Sequence, residues 1–262
     1  MSEVLVERRG PVALLTLNRP DVLNALSPSI AVALTEAVEA AGRTPEVRAI
    51  VITGEGRAFS SGGDIGFMRN VVDRGGRFED FEPLVGGGPG VVRAIMHSEK
   101  PVLAAVNGVA AGGGMSLALA CDVRWAAEGA RFGQSFVKIG LHPDWGAVYT
   151  LPRLIGLSRA LEMMWTGDLI DAAEAERIGV VSRVLAADRL LPEMLEFAER
   201  LARGPAVALA EIKHSARDSL GYTLEEALAR ELSAQERCWG TADAREGFAA
   251  FLDKREPKFE GR

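Results

Sequence analysis

Two cysteines in 262 residues, Cys121 and Cys238, are too few for a disulfide framework, so the fold must be held by its core and a reducing compartment is its natural setting. The three histidines, His97, His142 and His214, share no metal-ligand spacing with each other or with the cysteines. No apolar run is long enough to span a bilayer. The opening MSEVLVERRG lacks the apolar stretch of a secretory signal. Basic residues do not dominate: Lys+Arg 30 against Asp+Glu 36 leaves a formal net charge of −6. That argues against a nucleic-acid or membrane surface. A cytoplasmic protein with neither kind of partner is the expectation, and the length allows a large core.

The chain is rich in glycine, and the glycines fall where strands end. The stretch KPVLAAVNGVAAGGGMSLALACDV, Lys100 to Val123, organises the rest. Val102–Val106 reads as a buried strand, Gly112-Gly113-Gly114 as a turn, and Met115–Ala120 as a helix packed on every side. An earlier stretch repeats the theme: a β-branched strand over Val47–Thr53, then AFSSGGDI with Gly62-Gly63-Asp64. Each turn leaves backbone N–H groups at a helix N-terminus, where negative charge is favoured. A phosphate loop would need Lys and a hydroxyl after the glycines, whereas Met115-Ser116 follows. A dinucleotide fingerprint needs GxGxxG, which GGGMSL does not supply. Two readings stay open from the residues alone: glycines that only permit close packing, or a pair of N–H groups that hold a developing oxyanion.

In chain order, Val4–Val6 and Val12–Leu17 read as a hairpin around Gly10-Pro11. Ser27-Pro28 caps a helix that Gly42 ends. Asp73–Gly90 is polar and glycine-rich, and reads as a mobile lid around a short helix. Asp122–Trp125 and Arg131-Phe132 are strand candidates. After Ser158 the periodicity is almost wholly helical. Gly204-Pro205 is the candidate boundary between an α/β core, 1–203, and a helical region, 204–262.

The motifs AFSSGGDI, KPVLAAVNGVAAGGGMSLALACDV, KIGLHPDWGAVYTLPRLIG and AREGFAAFLDKREPKF together resemble the enoyl-CoA hydratase/isomerase (crotonase) superfamily, from about residue 4 to residue 259. The ending makes the chain look most like ring-1,2-epoxyphenylacetyl-CoA isomerase-like members. The resemblance implies an α/β spiral of ββα repeats with a helical C-terminal trimerisation region, the trimers often paired into hexamers. It implies an acyl-CoA substrate, with coenzyme A entering as part of the thioester and no permanently bound cofactor or metal. It makes the Gly63 and Gly113 amides the oxyanion hole, with Gly112 beside them. Ala25, Ser61 and Ile65 would line the CoA channel, and Phe251 and Lys254 would reach a neighbouring subunit's CoA. Asp64 is either part of that channel or the N-cap of the helix that follows.

The hydratases of this family use two glutamates around a water. The matching positions here are Ser116 and Phe136, so both carboxylates are missing. Phe136 can only shape the pocket. One carboxylate remains at a family catalytic position: Asp144 in HPDWG. It is either a helix cap after Pro143 or a base in apolar surroundings that include Phe136 and Trp145. The family's dehalogenase chemistry is excluded by Phe136 and Pro89, which stand where it needs tryptophan and histidine. His142 reads as surface and Cys121 as core. The leading expectation is double-bond isomerisation of an enoyl-CoA with Asp144 as base. The alternatives are hydration or thioester hydrolysis by Asp144 and water, and a non-catalytic CoA-ester binder.

Overall fold

The computed structural model describes residues 2–261; the outermost residues of the two expected regions, 1 and 262, lie outside that range. Strands β1 (Val4–Arg9) and β2 (Val12–Leu17) form the expected hairpin, with Val4 opposite Leu17. Helix α1 (Pro28–Arg43) starts at a Ser27 cap whose Oγ accepts the Ile30 amide. It runs past Gly42 to Arg43, because Thr44 provides the stop by donating its amide to Ala40 and Ala41. Next come β3 (Ala49–Gly54), β4 (Ala58–Ser60) and α2 (Ile65–Asp73). The stretch read as a lid around a short helix holds α3 (Phe78–Gly86) and the start of α4 (Gly88–Met96), whose part from Val91 on was expected to be helical. Its glycines fall at helix ends, and Leu84, Val91 and Ile95 are buried, so packing overrides the poor local propensity.

The theme then repeats with β5 (Val102–Val106), β6 (Val109–Ala111) and α5 (Gly113–Ala120). Strands β7 (Val123–Ala127) and β8 (Arg131–Gly133) begin a third turn of the spiral, followed by α6 (Ala147–Ile155) and α7 (Leu157–Thr166). Beyond Ser158 the chain is less uniformly helical than its periodicity suggests. Strand β9 (Ile170–Asp171) precedes α8 (Ala172–Arg177), and β10 (Arg183–Leu185) precedes α9 (Ala187–Ala202). Both strands are too short to carry an alternating pattern. Helices α10 (Ala206–Asp218), α11 (Leu224–Trp239) and α12 (Ala242–Asp253) complete the chain.

The first strands of the repeats build a sheet in the order β1-β2-β3-β5-β7-β10, parallel apart from the β1–β2 pair. The second strands build another, β4-β6-β8-β9. This is the α/β spiral of ββα units that was expected. One face of the large sheet, with Leu15, Ile52, Ala104 and Val106, packs on α1, α4 and α5; the other, with Leu14, Val51 and Leu103, packs on α9. Strands β3 and β5 are buried on both sides, which explains their unbroken apolar runs.

Helix α10 is tied to this core by charge. Asp122 pairs with Lys213 at 2.9 Å and with Arg217 at 2.7 Å, and Lys213 also donates to the Ile95 and Lys100 carbonyls. Two cations share one carboxylate there, and the backbone carbonyls of Ile95, Lys100 and Ala120 accept further bonds from them.

The repeats approach so closely that two glycines are obligatory. A Cβ on Gly114 would sit 2.3 Å from the Ser60 carbonyl oxygen, and one on Gly108 would sit 2.1 Å from that of Arg57. Gly114→Ala is therefore expected to lower stability by about 1–3 kcal/mol through overpacking. Gly129→Ala, where a Cβ meets nothing within 4 Å, should be near neutral. Chemical denaturation of the two variants side by side checks this.

Candidate active site

The two turns expected to act together do meet. After Leu23 and Asn24, both at positive φ (54° and 55°), the chain runs beside the first turn. The Ser61 amide donates to Leu23 at 2.9 Å, Leu26 donates to Gly62 at 2.7 Å, and Asp64 donates to Leu26 at 3.0 Å. Buried Asn24 holds this strip by donating to the Glu55 and Ala58 carbonyls. The Gly63 N–H has no acceptor in this pattern. In the second turn Gly112, at φ +50°, donates to Gly133. Gly113 opens α5, so its N–H has no carbonyl one turn earlier to reach. A Cβ on Gly113 would lie 4.0 Å from the Gly63 nitrogen, 3.7 Å from Asp144 Oδ1 and 3.1 Å from Leu26 Cδ1. Two free amides and one carboxylate thus border a single small space.

Asp144 is not a conventional helix cap: α6 begins after Gly146, and no side-chain cap bond is made there. The Asp144 carbonyl accepts the Ala147 amide at 3.1 Å across a turn whose middle residues, Trp145 and Gly146, have φ of 51° and 78°. The carboxylate Oδ1 is buried without a hydrogen-bond partner. Burial pushes its pKa up to about 6, opposed by its own amide N–H and by His142. Such a group can take and return a proton near neutral pH.

The two positions where the resemblance implied glutamates hold uncharged side chains. Ser116 is fully buried, and its Oγ donates to the Gly112 carbonyl at 3.1 Å while accepting from Gln134 Nε2 at 3.4 Å. Phe136 is buried with its ring 3.6 Å from where a Gly112 Cβ would lie. Neither can serve as a base.

The expected channel residues gather on the strip beside the first turn. Ala25 is buried, Ser61 Oγ donates to Val22, and Ile65 is exposed at the start of α2. Asp64 caps α2 by accepting the Phe67 amide at 3.1 Å and pairs with Arg19 at 2.8 Å. Burial alone would raise its pKa, but the Phe67 amide and Arg19 outweigh that and hold it below its usual value. Phe251 and Lys254 lie at the end of α12, Phe251 being 82% exposed. Cys121 is buried, and burial pushes its thiol up to about 12, so it is inert near neutral pH. His142 is exposed.

Three wall residues were not foreseen. Met68 Cε and Leu84 Cδ2 lie 2.5 Å and 3.7 Å from a Cβ position on Gly63, and Leu26 covers Gly113. Met68 follows Asp64 by four residues and so shares its helix face, a usable signal. Leu84 lies in the stretch read as loop.

Comparison with known proteins gives one consistent answer. The Enoyl-CoA hydratase/isomerase family model matches residues 7–262. The crotonyl-CoA hydratase of Syntrophomonas wolfei is 39% identical over 98% of this chain and 97% of its own. The 2,3-dehydroadipyl-CoA hydratase of Escherichia coli is 38% identical over the full length of both. The crystal structure of an enoyl-CoA hydratase from Bacillus anthracis superimposes with a TM-score of 0.93 at 32% identity, covering 100% of both chains. These relatives carry hydratase names, which favour the hydration alternative over the isomerase expectation.

The raised Asp144 pKa has a stability consequence. The folded state holds this proton more tightly than the unfolded chain, whose Asp titrates near 3.8. Stability from this group therefore falls as pH rises from about 4 to 6, and the penalty persists above 6. Asn carries no such penalty. Asp144→Asn should raise stability by on the order of 1–3 kcal/mol at pH 7.5, with the gain shrinking towards pH 4. Thermal melts of both proteins across this range check the sign.

Proposed function

This chain belongs to the enoyl-CoA hydratase/isomerase family, and from that premise we propose that it moves the double bond of an enoyl-CoA thioester, with Asp144 as the only base. The observation that carries this reading is the placement of one desolvated carboxylate beside the Gly63 and Gly113 amides, with no second carboxylate at Ser116 or Phe136. The thioester oxygen would accept both N–H bonds. Ionised Asp144 removes a proton from C2 of a 3-enoyl-CoA, and the electron pair passes into the thioester as an enolate. The carboxylic acid then returns the proton at C4, leaving the double bond between C2 and C3. Each oxyanion donor in such a site is worth about 3 kcal/mol in the transition state. Because the base must be ionised, turnover should fall as pH drops through about 6.

The names of the relatives support a second reading. In it Asp144 takes a proton from water as the oxygen adds to C3, and returns a proton to C2 of the enolate. The same two amides serve both reactions. Assembly belongs to the proposal too. Leu224, Leu232, Phe251 and Leu252 are each 70% exposed or more, an apolar face suited to a homotrimer or hexamer built through 204–262. Phe251 and Lys254 would then meet a neighbour's CoA, while Ala25, Ser61, Asp64 and Ile65 flank the chain's own.

Incubating 3-hexenoyl-CoA and crotonyl-CoA in heavy water, with mass spectrometry and an Asp144→Asn control, separates the readings. A migrated double bond, lost in the variant, is the expected result. A product heavier by one water would transfer the assignment to hydration, and full activity in the variant would remove Asp144 from the mechanism.

A further inference from the structure

The Asp144 carboxylate has no side-chain partner that points it. Its Oδ1 is unpaired and the hydrogen bond acting on it comes from its own amide, so its direction is set by the backbone of the turn Asp144–Ala147. That turn holds Trp145 at φ +51°, a conformation that favours Gly or Asn and disfavours a bulky side chain. Something must hold the tryptophan there. The indole is buried and packs into a notch made by a missing side chain on α4. A Cβ on Gly88 would come within 2.3 Å of Trp145 Cδ1 and 2.4 Å of Nε1. One helical turn later Val92 closes on the next residue of the loop, its Cγ1 lying 3.4 Å from a Cβ position on Gly146. Gly88 itself has no positive φ, so its backbone does not require glycine; the indole does.

We infer that Trp145 is a positioning residue for the reaction: its indole, seated in the Gly88 notch of α4, fixes the left-handed turn that aims the Asp144 carboxylate at the space beside the Gly63 and Gly113 amides. The inference rests on the reading of Asp144 as the base. It also gives Gly88, the first residue of α4, a part in positioning the base. Helix α4 is a clamp on the loop that carries the base, and any movement of α4 moves the carboxylate. From α4 and α5 the carboxylate loop meets Gly88, Val92 and Gly113, none of them charged. The titratable side chain that acts on Asp144 is His142 of its own loop.

Gly88→Ala tests this without altering the base or the loop. The displaced indole should release the turn, lowering kcat about ten- to hundredfold with KM changed far less. Water admitted to the carboxylate should also lower its titration, followed by ¹³C NMR and assigned with Asp144→Asn, from about 6 towards the ordinary range near 4. In a Trp145→Gly background, Gly88→Ala should cost nothing further, the non-additivity expected of two groups in contact. If Gly88→Ala does not fold, Trp145→Phe supplies the same two readouts from a trimmed ring. A folded Gly88→Ala with unchanged kcat and titration, or additive losses in the double variant, overturns the inference. Inactive Asp144→Asn beside an unaltered Gly88→Ala would defeat the positioning role alone. Fully active Asp144→Asn would defeat the assignment of the base and this inference with it.

Discussion

The constraint on which the molecule depends is the contact of backbone with backbone between successive ββα repeats. Gly114 lies against the Ser60 carbonyl, Gly108 against that of Arg57, and a Cβ on Gly62 would meet the Ala111 carbonyl at 2.7 Å. No side chain fits between these surfaces. With the repeats pressed together, the unpaired amide of Gly63 in the first turn and that of Gly113 at the start of α5 face one space. The cost of fixing so much backbone is met by the sheet faces, where β3 and β5 are buried throughout. Geometry of this kind is stiff, which is what an oxyanion-binding pair requires: donors already in place need no reorganisation when charge develops.

The electrostatics follow from the same packing. Leu26, Met68, Leu84 and Phe136 surround the two amides with hydrocarbon, and that apolar wall raises the Asp144 pKa as it strengthens the amide dipoles. Other buried charges have partners: Asp122 lies between Lys213 and Arg217, Asp64 against Arg19, and Arg124 donates to the Val180 and Cys121 carbonyls. Asp144 is left unmatched and costs stability above its pKa. An unpaired, desolvated carboxylate is hard to explain as architecture and easy to explain as chemistry.

Much of this was legible in the residues. The buried strand Val102–Val106, the Ser27 cap and the helices after residue 186 follow from hydrophobic period and turn chemistry, and the motif series pointed to the family. Asp64 could be read as a cap because its spacing to the helix is local. What was not legible depends on contacts distant in sequence. The segment around Leu84 reads as loop because its glycines and Pro83 hide a burial supplied by α1 and α2. Strands β9 and β10 are two and three residues long and take their conformation from the strands they join. The notch between Gly88 and Trp145 joins residues 57 positions apart, and nothing local marks it. The reaction itself stayed open for a different reason: the relatives compared carry hydratase names, while the positions where the resemblance implied two glutamates hold Ser116 and Phe136 in this chain.

In the mechanism proposed, the Gly63 and Gly113 amides grip the thioester oxygen independently of the base. Raman difference spectra of crotonyl-CoA bound to Asp144→Asn test it directly, because the conjugated carbonyl reports its hydrogen bonds through its stretching frequency. A marked shift to lower frequency than in free crotonyl-CoA is the predicted result. Bound crotonyl-CoA with the frequency it has in water would mean that these amides do not hold the thioester, and the account of the site would be wrong.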